Sequence, residues 1–340
     1  MIYSVKTFDL SLTVYKDKYK ELVSKAKLNA KILGFKLQKT DFGFTDEVLD
    51  EGGLAVEYRN GNKRKIILSV DPGMLLAAGN MIDLWKPSEK KITKMLQELD
   101  DHISNYFGHE FELNHFKLNN IVIAVNIKLD TREEVSSYIH VFNKIGSVKG
   151  YSYRPIMDKK HKNNATSYNL IGNSNGVEFS AFEMESALIN EYQDAKKEIS
   201  KITRGILTIE VRLTTQKAIR DYTNHDVTAD RIFELATKSG VIFANTIMDI
   251  IPYGRFYKKP KAVMIVEEKI KNNSLRRKMK KLLEHIPKQK SLLYAQKKMN
   301  NRYMDDIMQE FREIDVSPVT LSKRHGVDEL ENLYDYLMED

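Results

Sequence analysis

Between Asn119 and Thr214 the apolar pattern alternates between strand and helix spacing, and that order constrains the fold more than any other feature of the chain. "NNIVIAVNIKL" reads as a strand. "DTREEVSSYIHVFNKIG" repeats at helical spacing, with Asp130 or Thr131 at the cap and Glu133 and Glu134 in the first turn. "TSYNLI" and "GVEFSAFEM" are strand-like runs on either side of the turn signal "GNSN". "ESALINEYQDAKKEISKIT" is a helix closed by Gly205, and "ILTIEVRLT" is a final strand. "VKGYSYRP" adds an edge strand to the first crossover.

This β-α-β-β-α-β order is the split unit of ferredoxin-like domains. The expected fold class is α+β, with a ferredoxin-like antiparallel sheet domain over 116–222. Ahead of it, 1–115 reads as an α+β domain: a strand ("VKTFDLSLTV"), a helix ending at Gly34, a hairpin about Asn60-Gly61, and a helix from Pro87 to Gly108. Residues 223–340 read as a helical, basic region, ending in two short helices within "VSPVTLSKRHGVDELENLYDYLMED". In "RYMDDIMQEFREI" the stripe Met304, Ile307, Met308, Phe311 and Ile314 is core.

In the ferredoxin-like layout the first and third strands are central, the fourth flanks the first, and helices cover one face only. Period two then gathers Asn126, Lys128, Glu178, Ser180, Phe182, Met184, Glu210 and Arg212 on the free face. Glu210, between Ile209 and Val211, is the sharpest of these, because a carboxylate on a central strand is costly unless paired or bound to metal. An ion pair with Arg212 or Lys128 is the structural alternative to a ligand role.

Charge is unevenly placed. The chain carries a formal +7, yet 255–302 holds 16 Lys or Arg against Glu267, Glu268 and Glu284, a net +13, which leaves −6 for the remainder. A basic segment on an acidic body suits a polyanion, and nucleic acid over membrane, because no continuous apolar face accompanies the charge. The candidate phosphate contacts are Lys258, Lys259, Lys261, Arg276, Arg277, Lys278, Lys280, Lys281, Lys288 and Lys290, with Tyr253, Phe256 and Tyr257 as candidate stacking rings. Cysteine is absent, which excludes disulfides and thiolate metal sites. No apolar run approaches a membrane span, "MIYSVKTFDL" does not read as a signal peptide, and a cytoplasmic location is expected. No His-x-His pair, phosphate-binding loop or nucleophile elbow is found, and "HEFELNH" lacks zinc-helix spacing, so its histidines read as surface or capping residues.

"GNSNGVEFSAFEMESAL", "GILTIEVRLTTQKAIRDYT", "VKGYSYRP", "IIPYGRFYKKPKAV" and "SPVTLSKRHGV" resemble replication-initiation-like proteins of Gram-positive plasmids and mobile elements, a group similar to rolling-circle replication initiators and related relaxases. The resemblance implies nicking of one DNA strand by a tyrosine, with Mg²⁺ or Mn²⁺ held by carboxylates on the sheet. Residue by residue, it implies a metal set of Glu210, Asn126 and Glu178, with Val122 standing where an Asp is expected. It also implies that Phe182-Glu183-Met184 stands where Tyr-Asp/Asn-Lys is expected, so the nucleophile and an ammonium are lost together. Recovery of cleavage then requires Val122→Asp, Phe182→Tyr and Met184→Lys at once, because nucleophile and metal act as a unit.

The expected function is DNA binding by an initiator-like protein with a degraded nicking site and no cofactor. One alternative is an active nicking-joining endonuclease that uses Tyr168 or Tyr192 in place of the missing tyrosine, with Mg²⁺ or Mn²⁺. Another is a non-catalytic protein that binds a protein partner. The partners expected are DNA, single-stranded or origin duplex, and a helicase or a second copy of the chain, but no membrane.

Overall fold

The structure is a computed structural model that describes residues 3–46, 52–79, 82–154, 166–191, 196–300 and 302–338. It is a mixed α/β protein with a large antiparallel sheet. The chain forms two compact units, and each is built from separated stretches. One comprises 2–124 with 211–243; the other comprises 125–210 with 244–340. Both differ from the continuous segments 1–115, 116–222 and 223–340, because two strands pass from one unit into the other.

The first unit contains β1 (Ser4–Thr13), α1 (Lys16–Leu33), β2 (Gln38–Thr40), β3 (Gly43–Asp46), β4 (Leu54–Asn60), β5 (Arg64–Val70), α2 (Pro72–Leu75) and α3 (Glu89–Phe107). It shares β6 (Lys117–Lys128) with the second unit, as the order below shows. Its strands run β2-β3-β4-β5-β1-β6. The hairpin about Asn60-Gly61 forms as its turn chemistry dictates, pairing Leu54 with Val70 and Tyr58 with Ile66. Helix α1 stops at Gly34, which takes φ +76°, and α3 starts at Ser88, whose hydroxyl accepts from Lys91 N–H. His115 Nδ1 accepts from Glu112 N–H and so caps a single 3₁₀ turn, as expected of a capping histidine.

The second unit continues β6 into α4 (Arg132–Ile145), β7 (Tyr151–Tyr153), β8 (Ser167–Gly172), β9 (Val177–Glu183), α5 (Met184–Glu191), α6 (Lys196–Thr203) and β10 (Ile206–Leu213). Thr131 caps α4 in a reciprocal box with Glu134. The edge strand β7 and the hairpin about "GNSN" are present, with Asn169 opposite Ser180 and Ser167 opposite Phe182. The strand order is β6-β10-β9-β8-β7. This differs from the ferredoxin-like layout, in which β6 and β9 would be neighbours. A strand has two edges; β1 pairs with one edge of β6 and β10 lies on the other, so β9 is placed beyond β10.

After α7 (Gln216–Arg220), α8 (Ile232–Thr237) and α9 (Ser239–Ile250), the second unit is completed by β11 (Phe256–Tyr257), α10 (Lys259–Lys269), α11 (Asn273–Gln289), α12 (Leu292–Met299), α13 (Met304–Glu313), β12 (Glu329–Leu330) and α14 (Leu333–Met338). The first of the two short helices expected near the C-terminus is absent: 315–332 is a run of turns and bends that bridges Arg255 and Lys258 and supplies β12 to β11. Phe256 packs edge-on against Tyr138 and Phe142 of α4, which joins this segment to the sheet's helix layer. In α13 the core stripe holds at Ile307, Phe311 and Ile314, while Met308 faces a cavity instead.

Candidate functional site

Two places in the second unit answer to the expected chemistry: the sheet face that carries Glu210 and the basic helices. On the sheet, Thr208 Oγ1 donates to Asn126 Oδ1 at 2.8 Å and Leu129 N–H donates to Gly205 O at 2.8 Å. These two bonds fix β6 and β10 antiparallel, with Asn126 opposite Thr208. Glu210, two residues along, therefore shares the face of Asn126. Lys128 stands opposite Ile206, four residues from Glu210, and its ammonium donates to Arg204 O.

The expectation of an open face fails at its centre. Thr208 is fully buried, Glu210 is only 8% exposed, and Val122 is 2% exposed. Both faces are therefore buried at the centre of these strands, and polar groups reach solvent away from it: Asn126 and Arg212 are half-buried, Lys128 is exposed, and on β9 Glu178, Ser180 and Phe182 are half-buried. There Ser167, Asn169, Ser180, Phe182, Glu183 and Ser186 help to line a cleft of about 270 Å³. Among the described residues its walls hold hydroxyls, an amide, a ring and a carboxylate.

Three residues depart from their expected places. Tyr168 points to the opposite face: it stands opposite Ala181, is fully buried, and its hydroxyl donates to Gly146 O at 2.8 Å. Burial also pushes its phenol well above the ordinary value, the opposite of an activated nucleophile. Met184 leaves the face because β9 ends at Glu183 and the next residue starts α5, so period two stops there; its side chain is 3% exposed. Glu183, which alternation would point into the apolar layer, is held by Arg132 at 2.5 and 3.2 Å and by the hydroxyl of Ser186. Tyr192 lies outside the described residues, as does the basic loop "DKKHKNN".

The residues do not fit the metal that the family resemblance implies. Among the described residues, no group of three or more His, Asp or Glu is gathered to hold an ion. Val122 supplies no oxygen, and one lone pair of Asn126 Oδ1 already accepts from Thr208.

The basic segment divides into two sets of cations. Lys258 pairs with Asp328 at 2.8 Å, Lys261 with Glu329, and Lys280 with Glu267, while Arg276 donates to Glu267 O at 3.3 Å and to Asn273. Arg276 and Lys280 tie α11 to α10, Lys258 and Lys261 tie the start of α10 to 328–329, and these four are not all available to a ligand. Lys259, Arg277, Lys278, Lys281, Lys288 and Lys290 make no ion pair among the described residues. Helix α11 explains the division: Met279, Leu282, Leu283 and Ile286 form its buried stripe, so Arg277, Lys281 and Lys288 fall on the outer face. His285 is held below the ordinary imidazole value by burial and by the charges of Lys281, Lys298 and Lys288, with Glu284 opposing them. Its Nδ1 is buried without a hydrogen-bond partner.

The aromatic rings expected to stack are not on this surface. Phe256 is fully buried. Tyr257 has the Lys261 ammonium 4.8 Å from its ring, and Tyr253 lies 5.2 Å from both the Tyr334 ring and the Arg312 guanidinium. Tyr253 lines a cavity of about 550 Å³ with Met248, Met308 and Tyr334, none of them an expected site residue.

No protein-family model and no curated protein matches the chain. A solved structure similar to it is "Structure of Rolling Circle Replication Initiator Protein from Geobacillus stearothermophilus". That alignment covers 73% of this chain and 85% of the other, at 11% identity and a TM-score of 0.38. No helix among the described residues is long and apolar enough to cross a membrane.

Sequence reasoning missed the Arg132–Glu183–Glu185 cluster, in which Glu185 also reaches Arg132 Nε at 3.6 Å. The available signal was an arginine in the first turn of α4, where the helix dipole disfavours a cation without a carboxylate partner. It also missed the neutralised lysines, whose acidic partners lie up to 70 residues away in sequence.

Proposed function

We propose that this chain is a DNA-binding, replication-initiator-like protein that holds DNA on its basic helices and no longer nicks it through its sheet. The observation that carries the first half is that Arg277, Lys281 and Lys288 on the outer face of α11 and Lys297 and Lys298 of α12 are exposed and make no ion pair among the described residues. Lysines and arginines at that density displace counterions from a phosphate backbone, which supplies affinity without sequence readout. The initiator-like assignment rests on the short motifs around the β8–β9 hairpin, β10 and "SPVTLSKRHGV".

The second half rests on three positions. Phe182 keeps a ring without the oxygen that would carry the covalent link, Val122 is packed, and the carboxylate of Glu210 is buried. Tyrosine nicking needs an exposed phenol in line with a metal-polarised phosphate, and Tyr168 is locked in the core.

The test is incubation of the purified protein with single-stranded origin DNA and Mn²⁺, followed by a denaturing gel. The expected result is binding in a native gel and no covalent adduct. An adduct that disappears in Glu210→Ala would restore the active-enzyme reading and require a tyrosine other than Tyr168.

A further inference from the structure

We infer that the α11–α12 surface is a stacking platform for unpaired bases, so that its preferred ligand is a single-stranded rather than a duplex nucleic acid. This inference rests on the DNA-binding reading above and deepens it.

Tyr294 is 52% exposed and Tyr303 is 45% exposed. Helix α11 ends at Lys290 and α12 ends at Asn300, each residue in the left-handed region (φ 52° and 43°), so the chain turns sharply after each helix. The hydroxyl of Ser291 caps α12 by accepting from Tyr294 N–H, which fixes Tyr294 in the first turn. In α12 the residues that pack inward are Leu292 and Ala295. Tyr294 lies off that stripe and points to solvent.

Each exposed ring is accompanied by cations. Lys297, one turn on, lies 5.8 Å from the Tyr294 ring centroid. The Tyr303 ring has the Arg302 guanidinium at 4.7 Å and the Lys278 ammonium, from α11, at 5.2 Å. From residue 273 to 303 the chain has ten lysines and arginines against a single carboxylate, Glu284, a net +9.

This pairing separates two ligands. The phosphates of a duplex are reached by cations alone, and its base faces are hidden in the stack. A single strand offers phosphates and base faces together, and stacking on an exposed ring is tolerant of sequence because every base has a π-face. The cations beside the rings are long-armed and exchange a weak exposed cation–π contact for a phosphate when a base arrives. An acidic protein segment would satisfy the cations but leave the rings with no aromatic ligand.

The experiment compares full-length wild type with Tyr294→Ala/Tyr303→Ala and Tyr294→Phe/Tyr303→Phe in fluorescence-anisotropy titrations. The ligands are oligo(dT) of about 20 nucleotides, the RNA equivalent, a hairpin duplex and an acidic peptide, at several salt concentrations. Wild type should prefer the single strands. The alanine pair should lose roughly fivefold or more per ring on oligo(dT), with duplex binding and the salt slope unchanged, and the phenylalanine pair should retain wild-type affinity. Equal loss on RNA means the platform reads any single strand; no RNA binding restricts it to DNA, and either result upholds it. Salt-dependent wild-type binding that the alanine pair leaves unaltered overturns the platform alone. Tighter binding of the acidic peptide than of any nucleic acid, or no nucleic-acid binding at all, overturns the DNA reading and the platform with it.

Discussion

Met184→Lys should lower the unfolding free energy by about 4 kcal/mol or more at neutral pH, with much of that loss recovered near pH 10. The side chain is 3% exposed at the start of α5. A lysine there sheds its proton or keeps a desolvated charge, and fully buried lysines have their pKa lowered by about 3–5 units, each unit equivalent to about 1.4 kcal/mol. The unfolded lysine titrates near 10.4. Between the lowered folded value and 10.4 the unfolded state binds the extra proton, so stability rises with pH through that window. Urea midpoints at two pH values check this; a destabilisation equal at both would mean lost packing only. Val122→Asp should show the opposite trend, its cost growing as pH rises above the ordinary carboxyl range, because its site is also buried. The combined Val122→Asp, Phe182→Tyr, Met184→Lys chain is therefore expected to unfold rather than to recover nicking.

What could be read in the sequence was local. Strand and helix positions from 117 to 213 follow from period, caps and turn residues: Thr131 and Glu134 close a box, Gly205 ends α6 at φ +78°, and "GNSN" turns the hairpin. Strand order was not legible, because no local signal reveals that β1 takes one edge of β6. The parity of Asn126, Thr208 and Glu210 held, since two strands in register must alternate together. Solvent access did not follow from parity: Glu210 alternates correctly and is still buried. Met184 shows the same limit, as alternation predicts a face only while the strand continues.

Replacing Arg277, Lys278, Lys281, Lys288 and Lys290 by glutamine should flatten the salt dependence of DNA binding by up to roughly 4 in slope, at about 0.7–0.9 for each phosphate no longer neutralised. The fold should be unaffected, because none of the five is in an ion pair among the described residues and exposed charges contribute little to stability. The matched control replaces Lys258, Lys261, Arg276 and Lys280, which are engaged with Asp328, Glu329, Glu267 and Asn273. That control should leave the slope nearly unchanged and cost some stability. If both sets flatten the slope equally, the ion pairs open on binding and the division drawn between the two sets is wrong. Circular dichroism on both variants separates a weakened grip on DNA from loss of fold.

The central claim, that this chain grips a nucleic-acid backbone through its basic helices, is tested most directly by the wild-type protein alone. The measurement is the affinity for an oligo(dT) strand over a range of salt concentrations. With about six phosphates engaged, log K should fall linearly with log salt at a slope of roughly −4 to −5. A slope near zero, or no binding at the lowest salt, would contradict it.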